Sequence, residues 1–389
     1  MKKTAEIVVI GGGVIGTSIA YFLSKRWKKV VLVERDDLAS GSSGACDIDI
    51  ILQSKNPGIH LKLAMASAEI YKNLPEELDF DIEYENTGGM ILIEDEEQLN
   101  VMKEFVKKQR AVGLQVDLLD FKEATKLQKG LAPHLVGATY SPQDGHVNPL
   151  RLCIGFARAA AKRGAEICLG TAVTNIKTEN GRVKSVVTNR GEIETEIVVN
   201  AAGVFTPMIC EMVGMTAPIK PHRGQIIVTE PVPKFVMGAV LCAKYIVAKY
   251  NPKLLEGSDD LETRLGVGLS LSQTRNGNIL IGGCREFVGY NRSTTHEAFV
   301  TILKHATRLV PALKEIHAIR SFAGLRPYTP DGLPLLGPVE GIEGFIMAAG
   351  HEGDGIALSP VTGRIISDII LDGKTFIDIA PLSPGRFGK

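Results

Sequence analysis

The glycines that follow the first apolar run are the residues best placed for binding chemistry. Residues 6–10, EIVVI, are typical of a buried parallel strand, and the spacing Gly11-x-Gly13-x-x-Gly16 follows at once. In such a turn the first glycine allows a tight bend, the second lets the backbone approach a pyrophosphate, and the third lets helix and strand pack closely. The helix that begins there presents free N–H groups to phosphate charge. The predicted dinucleotide contacts are Gly11, Gly13, Val14, Ile15 and Gly16.

An acidic residue ends the next predicted strand. Residues 30–34, VVLVE, close with Glu34, which lies 23 residues after Gly11. A carboxylate at this distance accepts hydrogen bonds from an adenosine ribose and disfavours a 2′-phosphate, which argues against NADP. We therefore expect Glu34 and the adjacent Arg35 to bind the adenosine half of a dinucleotide.

The sequence that follows Glu34 favours FAD over NAD as the cofactor. A nicotinamide enzyme continues with further βα units, but residues 38–44, LASGSSG, begin no second alternation. Residues 166–200 are instead typical of strands joined by hairpin turns, one of them with an Asn-Gly pair. This layout resembles that of flavoproteins with two-dinucleotide folds. In those proteins a strand ending in small residues, here followed by Ala202 and Gly203, approaches the adenine half of FAD.

A second glycine-rich turn, at residues 350–355, opens another predicted helix. The turn follows an apolar run at 345–349, and the helix extends to about Leu371. The positive N-terminal end of a helix stabilises the negative charge that develops on a reduced flavin. The predicted flavin contacts in this turn are Gly350, His351, Glu352, Gly353, Asp354, Gly355 and Ile356.

The composition excludes several other classes of protein. With 389 residues, two domains are expected, and 44 basic against 44 acidic residues leave no excess charge for nucleic acid. No apolar run reaches the roughly 18 residues of a transmembrane helix, and the N-terminus lacks a signal-peptide pattern, so we expect a cytoplasmic protein. The six cysteines are dispersed, which predicts neither a metal site nor disulfides.

Four segments together resemble the D-amino-acid oxidase superfamily of FAD-dependent oxidoreductases, especially its glycine oxidase and sarcosine oxidase-like members. They are VVIGGGVIGTSIAYFLSK (8–25), YSPQDGHVNP (140–149), AGLRPYTPDGLPLLGP (323–338) and AAGHEGDGIALSP (348–360). Within the superfamily, CDIDIILQSKNPG and GHEGDGIALSP are similar to a narrower group. That group comprises the flavin subunits of hydrogen cyanide synthase, opine oxidase and proline or hydroxyproline dehydrogenases. Such proteins commonly belong to heteromeric complexes, so the resemblance implies partner subunits.

The resemblance also implies an architecture. The expected fold is α/β, α+β overall, with a discontinuous Rossmann-like FAD-binding domain and an interleaved antiparallel-sheet substrate domain. The FAD-binding domain is expected to comprise residues 1–84, 143–217 and 322–389. The substrate domain is expected to comprise residues 85–142 and 218–321.

Residues of the family motifs carry over to positions of this chain. Arg326 matches the arginine that binds the substrate carboxylate, although pairing with a structural acid such as Asp331 is an open alternative. Tyr245 matches a strand tyrosine that touches the same carboxylate, and a packed strand aromatic is its alternative. The remaining implied contacts to FAD are Ser42, Ser43, Asp47, Ile48, Asp49 and, at the adenine end, Val173.

Two departures from the family pattern affect these expectations. Gly353 stands where glycine oxidases carry a second arginine, so either Glu352 or Asp354 is expected to face the pocket. This change favours a cationic or secondary-amine substrate. No cysteine follows Cys284, which excludes a C-terminal cysteinyl link, and we interpret Cys46 as an inert thiol. FAD is therefore expected to bind non-covalently.

The expected function is FAD-dependent oxidation of a small amino acid or N-substituted amino acid to an imine, by hydride transfer to flavin N5. Glycine, sarcosine, proline, a D-amino acid or an opine fits this expectation. Two alternatives stay open: an FAD-dependent 2-hydroxy-acid dehydrogenase, and a flavin subunit that relays electrons within a complex. The sequence leaves open whether oxygen is the electron acceptor, and whether partner subunits hold the chain at a membrane surface.

Overall fold

The computed structural model describes residues 3–26, 29–244, 246 and 260–388. Tyr245 lies outside the described residues, as does most of a polar insertion at 251–264. The helices are α1 (Val14–Ser24), α2 (Ile59–Tyr71), α3 (Leu74–Leu78), α4 (Glu96–Val112), α5 (Phe121–Leu127), α6 (Pro149–Lys162), α7 (Thr206–Glu211), α8 (Leu261–Arg264), α9 (His296–Leu309) and α10 (Gly355–Asp372). Within these ranges, no helix is both long enough and apolar enough to cross a membrane.

The strands that carry the first dinucleotide motif belong to one buried sheet. They are β2 (Ile7–Ile10), β3 (Val30–Val33), β9 (Glu166–Cys168), β13 (Ile197–Asn200), β19 (Leu335–Pro338) and β20 (Phe345–Ala349), in the order β19-β20-β13-β2-β3-β9. The short strand β1 (Lys3–Thr4) belongs to a different sheet. Every pair is parallel except the pair of β19 with β20. Both β2 and β3 are buried along their whole length, as expected for parallel strands covered on both faces. The predicted Rossmann-like sheet is therefore confirmed.

The hairpin interpretation of residues 166–200 is correct in one part and wrong in another. Strands β10 (Val173–Glu179), β11 (Arg182–Thr188) and β12 (Gly191–Glu194) are antiparallel, and Asn180 and Gly181 both have positive φ in the turn. Strand β9 is different, because it pairs in parallel with β3 at the edge of the six-stranded sheet. Its three residues provided too short a pattern to reveal this long-range partner.

A second, larger sheet lies outside the dinucleotide fold. Its strands are β5 (Gly89–Ile93), β6 (Asp117–Asp120), β7 (Gly137–Ser141), β14 (Lys220–Pro231), β15 (Ala239–Cys242), β16 (Ser270–Gln273), β17 (Asn278–Gly282) and β18 (Ala318–Tyr328), in the order β18-β14-β17-β16-β15-β5-β7-β6. All pairs are antiparallel except β15 with β5. The short strands β4 (Asp49–Ile50) and β8 (Gly145–His146) pair separately. Strand β18 spans the expected boundary at residue 322. The domain limits stay a prediction.

Helix α10 packs against α1 through a glycine. A Cβ atom added at Gly363 would lie 2.7 Å from Phe22 Cδ2 and 2.9 Å from the backbone carbonyl carbon of Ser18. The Ser18 hydroxyl also donates to the Ser359 carbonyl oxygen at 2.8 Å. The two helices that open at the glycine turns are therefore in direct backbone contact.

We expect Gly363→Ala to lower the free energy of unfolding by about 1–3 kcal/mol, the usual range for overpacking a filled interior. The added methyl group meets the Ser18 backbone, which moves less readily than a side-chain end. Urea unfolding of the FAD-loaded protein measures the change. Lys374→Ala, at an exposed position just after the same helix, is the control and should stay within about 0.5 kcal/mol of the wild type. Equal stability of Gly363→Ala and wild type would contradict this packing.

Candidate active site

The first glycine turn brings three backbone segments together. Gly11 has φ of +114°, and a Cβ there would lie 2.5 Å from the Ala201 carbonyl oxygen. A Cβ at Gly16 would overlap the Gly11 carbonyl oxygen, so α1 lies directly on the turn. Gly13, Val14 and Ile15 begin α1 and line a cavity. Gly11 and Gly16 thus pack as their positions in the motif predict, and the approach of Gly13 to a pyrophosphate stays a prediction.

Glu34 is held by backbone amides at the end of β3. Its Oε2 accepts a hydrogen bond from the Gly12 N–H at 2.6 Å, and its Oε1 accepts one from the Asp36 N–H at 2.9 Å. These contacts fix the carboxylate against the glycine turn, where it lines the cavity. The geometry suits an acceptor for ribose hydroxyls.

An aromatic side chain that the sequence analysis did not identify lies beside Arg35. The Arg35 guanidinium lies 3.8 Å from the centre of the Phe205 ring, and Phe205 stacks on Tyr290 at 5.3 Å. Phe205 follows the small residues Ala202 and Gly203, so its place after β13 was the available signal. Together these residues form an apolar and cationic surface where the adenosine half of the cofactor is expected.

The loop after β3 is anchored on both sides. Ser43 Oγ accepts a hydrogen bond from the Val14 N–H at 3.0 Å, and the Ser42 hydroxyl donates to the Leu325 carbonyl oxygen. Gly324 lies so close to the loop that a Cβ there would overlap the Ala45 carbonyl oxygen. The loop therefore joins the glycine turn to β18.

One cavity unites most of the predicted residues. Those that line it are Gly11, Gly13, Val14, Ile15, Glu34, Arg35, Ser42, Ser43, Asp47, Val173, Ala202, Gly203, Arg326, Gly350, His351, Glu352, Gly353, Gly355 and Ile356. Four predicted contacts do not line it, namely Gly16, Ile48, Asp49 and Asp354. The cavity also has lining residues that the sequence analysis missed, among them Thr171, Ala172, Val204, Phe205, Met208, Gly224, Ile226, Gly324 and Leu325.

Arg326 reaches the cavity across the neighbouring strand. A Cβ added at Gly224 of β14 would lie 2.5 Å from either terminal nitrogen of Arg326, so this glycine makes room for the guanidinium. One terminal nitrogen donates to the Cys284 carbonyl oxygen at 3.1 Å. The alternative pairing with Asp331 is wrong, because Asp331 binds Arg386 through two hydrogen bonds of 2.8 and 2.9 Å.

The two acidic residues of the second glycine turn have different surroundings. Glu352 lines the cavity, with Oε1 at 3.4 Å from Nδ1 of His222. Although burial raises the pKa of Glu352, contact with His222 and the Arg326 and Arg285 charges outweigh it and hold the pKa at about 2. Glu352 therefore carries its charge at neutral pH.

Asp354 is paired outside the cavity. Its carboxylate lies 2.5 Å from Lys55 Nζ and 3.0 Å from His60 Nε2, both buried side chains. Burial raises the pKa of Asp354, but the Lys55 and His60 charges oppose this more strongly and lower it overall. Of the two open alternatives, Glu352 is therefore the acid that faces the pocket.

His351 and Cys46 are uncharged residues of the cavity wall. Burial lowers the pKa of His351 to about 3, and its Nε2 lies 3.1 Å from the Thr362 hydroxyl. Burial, with a smaller effect of the Asp47 charge, raises the pKa of the Cys46 thiol well above its usual range. A thiol in this state is a weak nucleophile, which agrees with the interpretation of Cys46 as inert.

A glycine turn at one helix N-terminus, an acid at the end of the next strand and a second glycine turn in the same cavity are the features of a dinucleotide-dependent oxidoreductase. The chain belongs to the DAO family, described as FAD dependent oxidoreductase, whose model matches residues 6–369. It is an FAD-dependent enzyme, and the open backbone beside Gly41 and Gly203, where a Cβ would meet nothing within 4 Å, leaves room for the cofactor.

Named relatives support this assignment over the full chain. A hydrogen cyanide synthase subunit, HcnC, from Pseudomonas aeruginosa is 30% identical and is aligned over 100% of this chain and 97% of its own. Glycine oxidase from Geobacillus kaustophilus is 31% identical, with 99% and 98% covered. The crystal structure of L-proline dehydrogenase from P. horikoshii superposes with a TM-score of 0.89 at 29% identity, covering 100% of this chain and 98% of that one.

We expect Glu34→Gln to weaken FAD binding by about tenfold to a hundredfold, since a hydrogen bond to a charged group contributes about 1.5–3 kcal/mol. Titration of the apoprotein with FAD, followed by flavin fluorescence, measures the dissociation constant. Glu179→Gln, at an exposed end of β10, is the matched control and should bind FAD as the wild type does. Unchanged affinity of Glu34→Gln would show that the carboxylate does not touch the ribose.

Proposed function

We propose that the enzyme oxidises a small amino acid or N-substituted amino acid at its Cα–N bond to an imine, which water then hydrolyses. The observation that carries this proposal is the position of Arg326. Its guanidinium lies in the same cavity as the first glycine turn. Within the described residues the guanidinium makes one hydrogen bond, to the Cys284 carbonyl oxygen. A guanidinium so placed is the natural two-point partner of a substrate carboxylate.

The charges around Arg326 favour an amine over a 2-hydroxy acid. Glu352 is ionised and lines the cavity, and Asp47 lines it as well. A zwitterionic or cationic amino acid presents an ammonium group to these carboxylates, whereas a hydroxyl group brings no compensating charge. The replacement of an arginine by Gly353 in this turn further favours a substrate with more positive charge.

The proposed mechanism relies on positioning. Bound FAD supplies the two-electron acceptor for the hydride. Arg326 binds the substrate carboxylate and so restricts rotation about the bonds to Cα. The loop anchored by Ser42 and Ser43 sets the distance between the first glycine turn and β18. Holding reacting atoms about 3–3.5 Å apart can account for much of such a rate enhancement.

We also propose that partner subunits take part in the reaction of this enzyme. The support is the HcnC relative, which its name describes as a subunit. The relatives leave the electron acceptor open, since one is named an oxidase and another a dehydrogenase. The experiment that identifies the substrate should therefore also test for the electron acceptor.

We expect the flavin absorbance near 450 nm to bleach under anaerobic conditions with one or more of glycine, sarcosine, proline, D-amino acids and opines. The oxidised flavin loses this absorbance when it takes up the substrate's electrons. Admission of air then reports whether oxygen accepts the electrons. Bleaching by 2-hydroxy acids alone would support the hydroxy-acid alternative, and no bleaching by any of these compounds would support the electron-relay alternative.

We expect Arg326→Met to lower kcat/KM for a carboxylate-bearing amine by about 30-fold to several thousandfold, since removing one partner of a buried charge pair costs about 2–5 kcal/mol. The FAD content should be unchanged, and kcat/KM for an amine without a carboxylate should fall much less. Arg320→Met, at an exposed position of the same strand, is the control. Equal losses for both amines would argue against carboxylate binding by Arg326.

A further inference from the structure

Two carboxyl groups and one hydroxyl group meet at the edge of the cavity. Ser270, the first residue of β16, places Oγ 3.2 Å from Asp47 Oδ2 and 3.2 Å from Asp49 Oδ2. A serine hydroxyl has a single hydrogen, so it donates to one of the two carboxyl groups. The other carboxyl group can bond to Oγ when it carries a proton of its own. The geometry therefore fits one proton held by the pair of aspartates.

Asp49 is the member of the pair that suits the protonated form. Its Oδ1 atom is buried and has no hydrogen-bond partner among the described residues, which is costly for a charged carboxylate. Burial, and then the charges of Asp47 and Asp144, raise the pKa of Asp49 well above its usual range, against the opposing hydroxyl groups of Ser272 and Ser270. Asp49 also lies outside the cavity lining.

Asp47 is the member that faces the substrate. It lines the cavity together with Arg326 and its neighbour Cys46. Burial raises the pKa of Asp47 as well, while the Arg326 charge, the Ser270 hydroxyl and the Lys55 charge act in the opposite direction. Two adjacent carboxyl groups do not readily ionise together, so the charge falls on Asp47 and the proton on Asp49.

We propose that Asp47 accepts the ammonium proton that the amino acid substrate loses before oxidation, and that Ser270 and Asp49 position it. This inference rests on the proposed function. In water the substrate nitrogen is an ammonium group, which has no lone pair to form the new C=N bond. Arg326 and Asp47 line the same cavity, so a substrate whose carboxylate is bound by Arg326 can present its ammonium group to Asp47.

The proton and electron movements balance in two steps. One N–H bond breaks and leaves its electron pair on nitrogen, while a new O–H bond forms on Asp47. The Cα–H bond then breaks with its electron pair passing to the bound FAD, and the nitrogen lone pair forms the C=N bond of an iminium cation. Asp47 thus removes a proton without contributing electrons to the oxidation.

We expect Asp47→Asn to lower kcat at neutral pH by about 100- to 10,000-fold, the usual contribution of a general base. The loss should shrink as the pH rises toward the substrate amine pKa, because neutral amine then comes from solution. Asp117→Asn, at an exposed position of β6, is the control. A rate and pH profile of Asp47→Asn equal to those of the wild type would overturn the proposal.

Ser270→Ala and Asp49→Asn test the positioning role through the acid limb of the kcat/KM profile. The Ser270 hydroxyl lowers the pKa of Asp47, so in Ser270→Ala that pKa rises and the acid limb should move to higher pH. In Asp49→Asn the neutral amide replaces a neutral carboxyl group and still donates to Ser270 Oγ, so the acid limb should stay near its wild-type position, while kcat falls less than in Asp47→Asn. An acid limb that stays in place in Ser270→Ala would contradict the pairing.

The proton on Asp49 also has a readout that needs no turnover. Infrared spectra of the FAD-loaded protein at neutral pH should contain a protonated-carboxyl C=O band that disappears in Asp49→Asn and persists in Asp47→Asn. Absence of that difference overturns the inference. If the band is present but no amine bleaches the flavin, the proposed function fails instead, and the role of Asp47 as proton acceptor fails with it.

Discussion

The pairing of β14 with β18 is the constraint on which the site depends. In its register Gly224 lies opposite Gly324, and His222 lies opposite Arg326. One glycine leaves room for the Arg326 guanidinium, and the other lets the Ala45 carbonyl oxygen approach β18. A one-residue slip would move every side chain of the strand to the other face of the sheet. The same register therefore sets both the carboxylate-binding group and the loop that faces it.

A buried acid, Asp144, fixes the C-terminal end of the loop that follows β3. Asp144 accepts hydrogen bonds from the Leu52 N–H at 2.7 Å and from Gln53 Nε2 at 2.6 Å. Burial raises the pKa of Asp144 to about 6, although these hydrogen bonds oppose the rise. The acid thus holds the chain just after Asp49, while the serines at 42 and 43 hold it before Asp47. Residues 44–51 have little freedom between these two anchors.

Local patterns predicted the parts of the site that are local in the chain. The first glycine turn, Glu34 and the second glycine turn each lie within a few residues of a strand and a helix, and each occupies its expected place. The separation of Glu352 from Asp354 was not predictable, because it depends on the left-handed conformation of Glu352, with φ of 49°, and on distant Lys55 and His60. The ion pair of Asp331 with Arg386 likewise joins residues whose proximity no local pattern reveals.

The order of strands in the six-stranded sheet has a consequence for synthesis of the protein. Strand β2 is made first, yet it lies between β3 and β13, and β13 in turn awaits β20. Both glycine turns belong to this sheet and its helices, so the cofactor site is incomplete until residues 345–356 have left the ribosome. At a synthesis rate of roughly 5–20 residues per second, the second turn is made tens of seconds after the first. A complete FAD site therefore requires the chain through residue 356, and an N-terminal fragment holds only the first of the two turns.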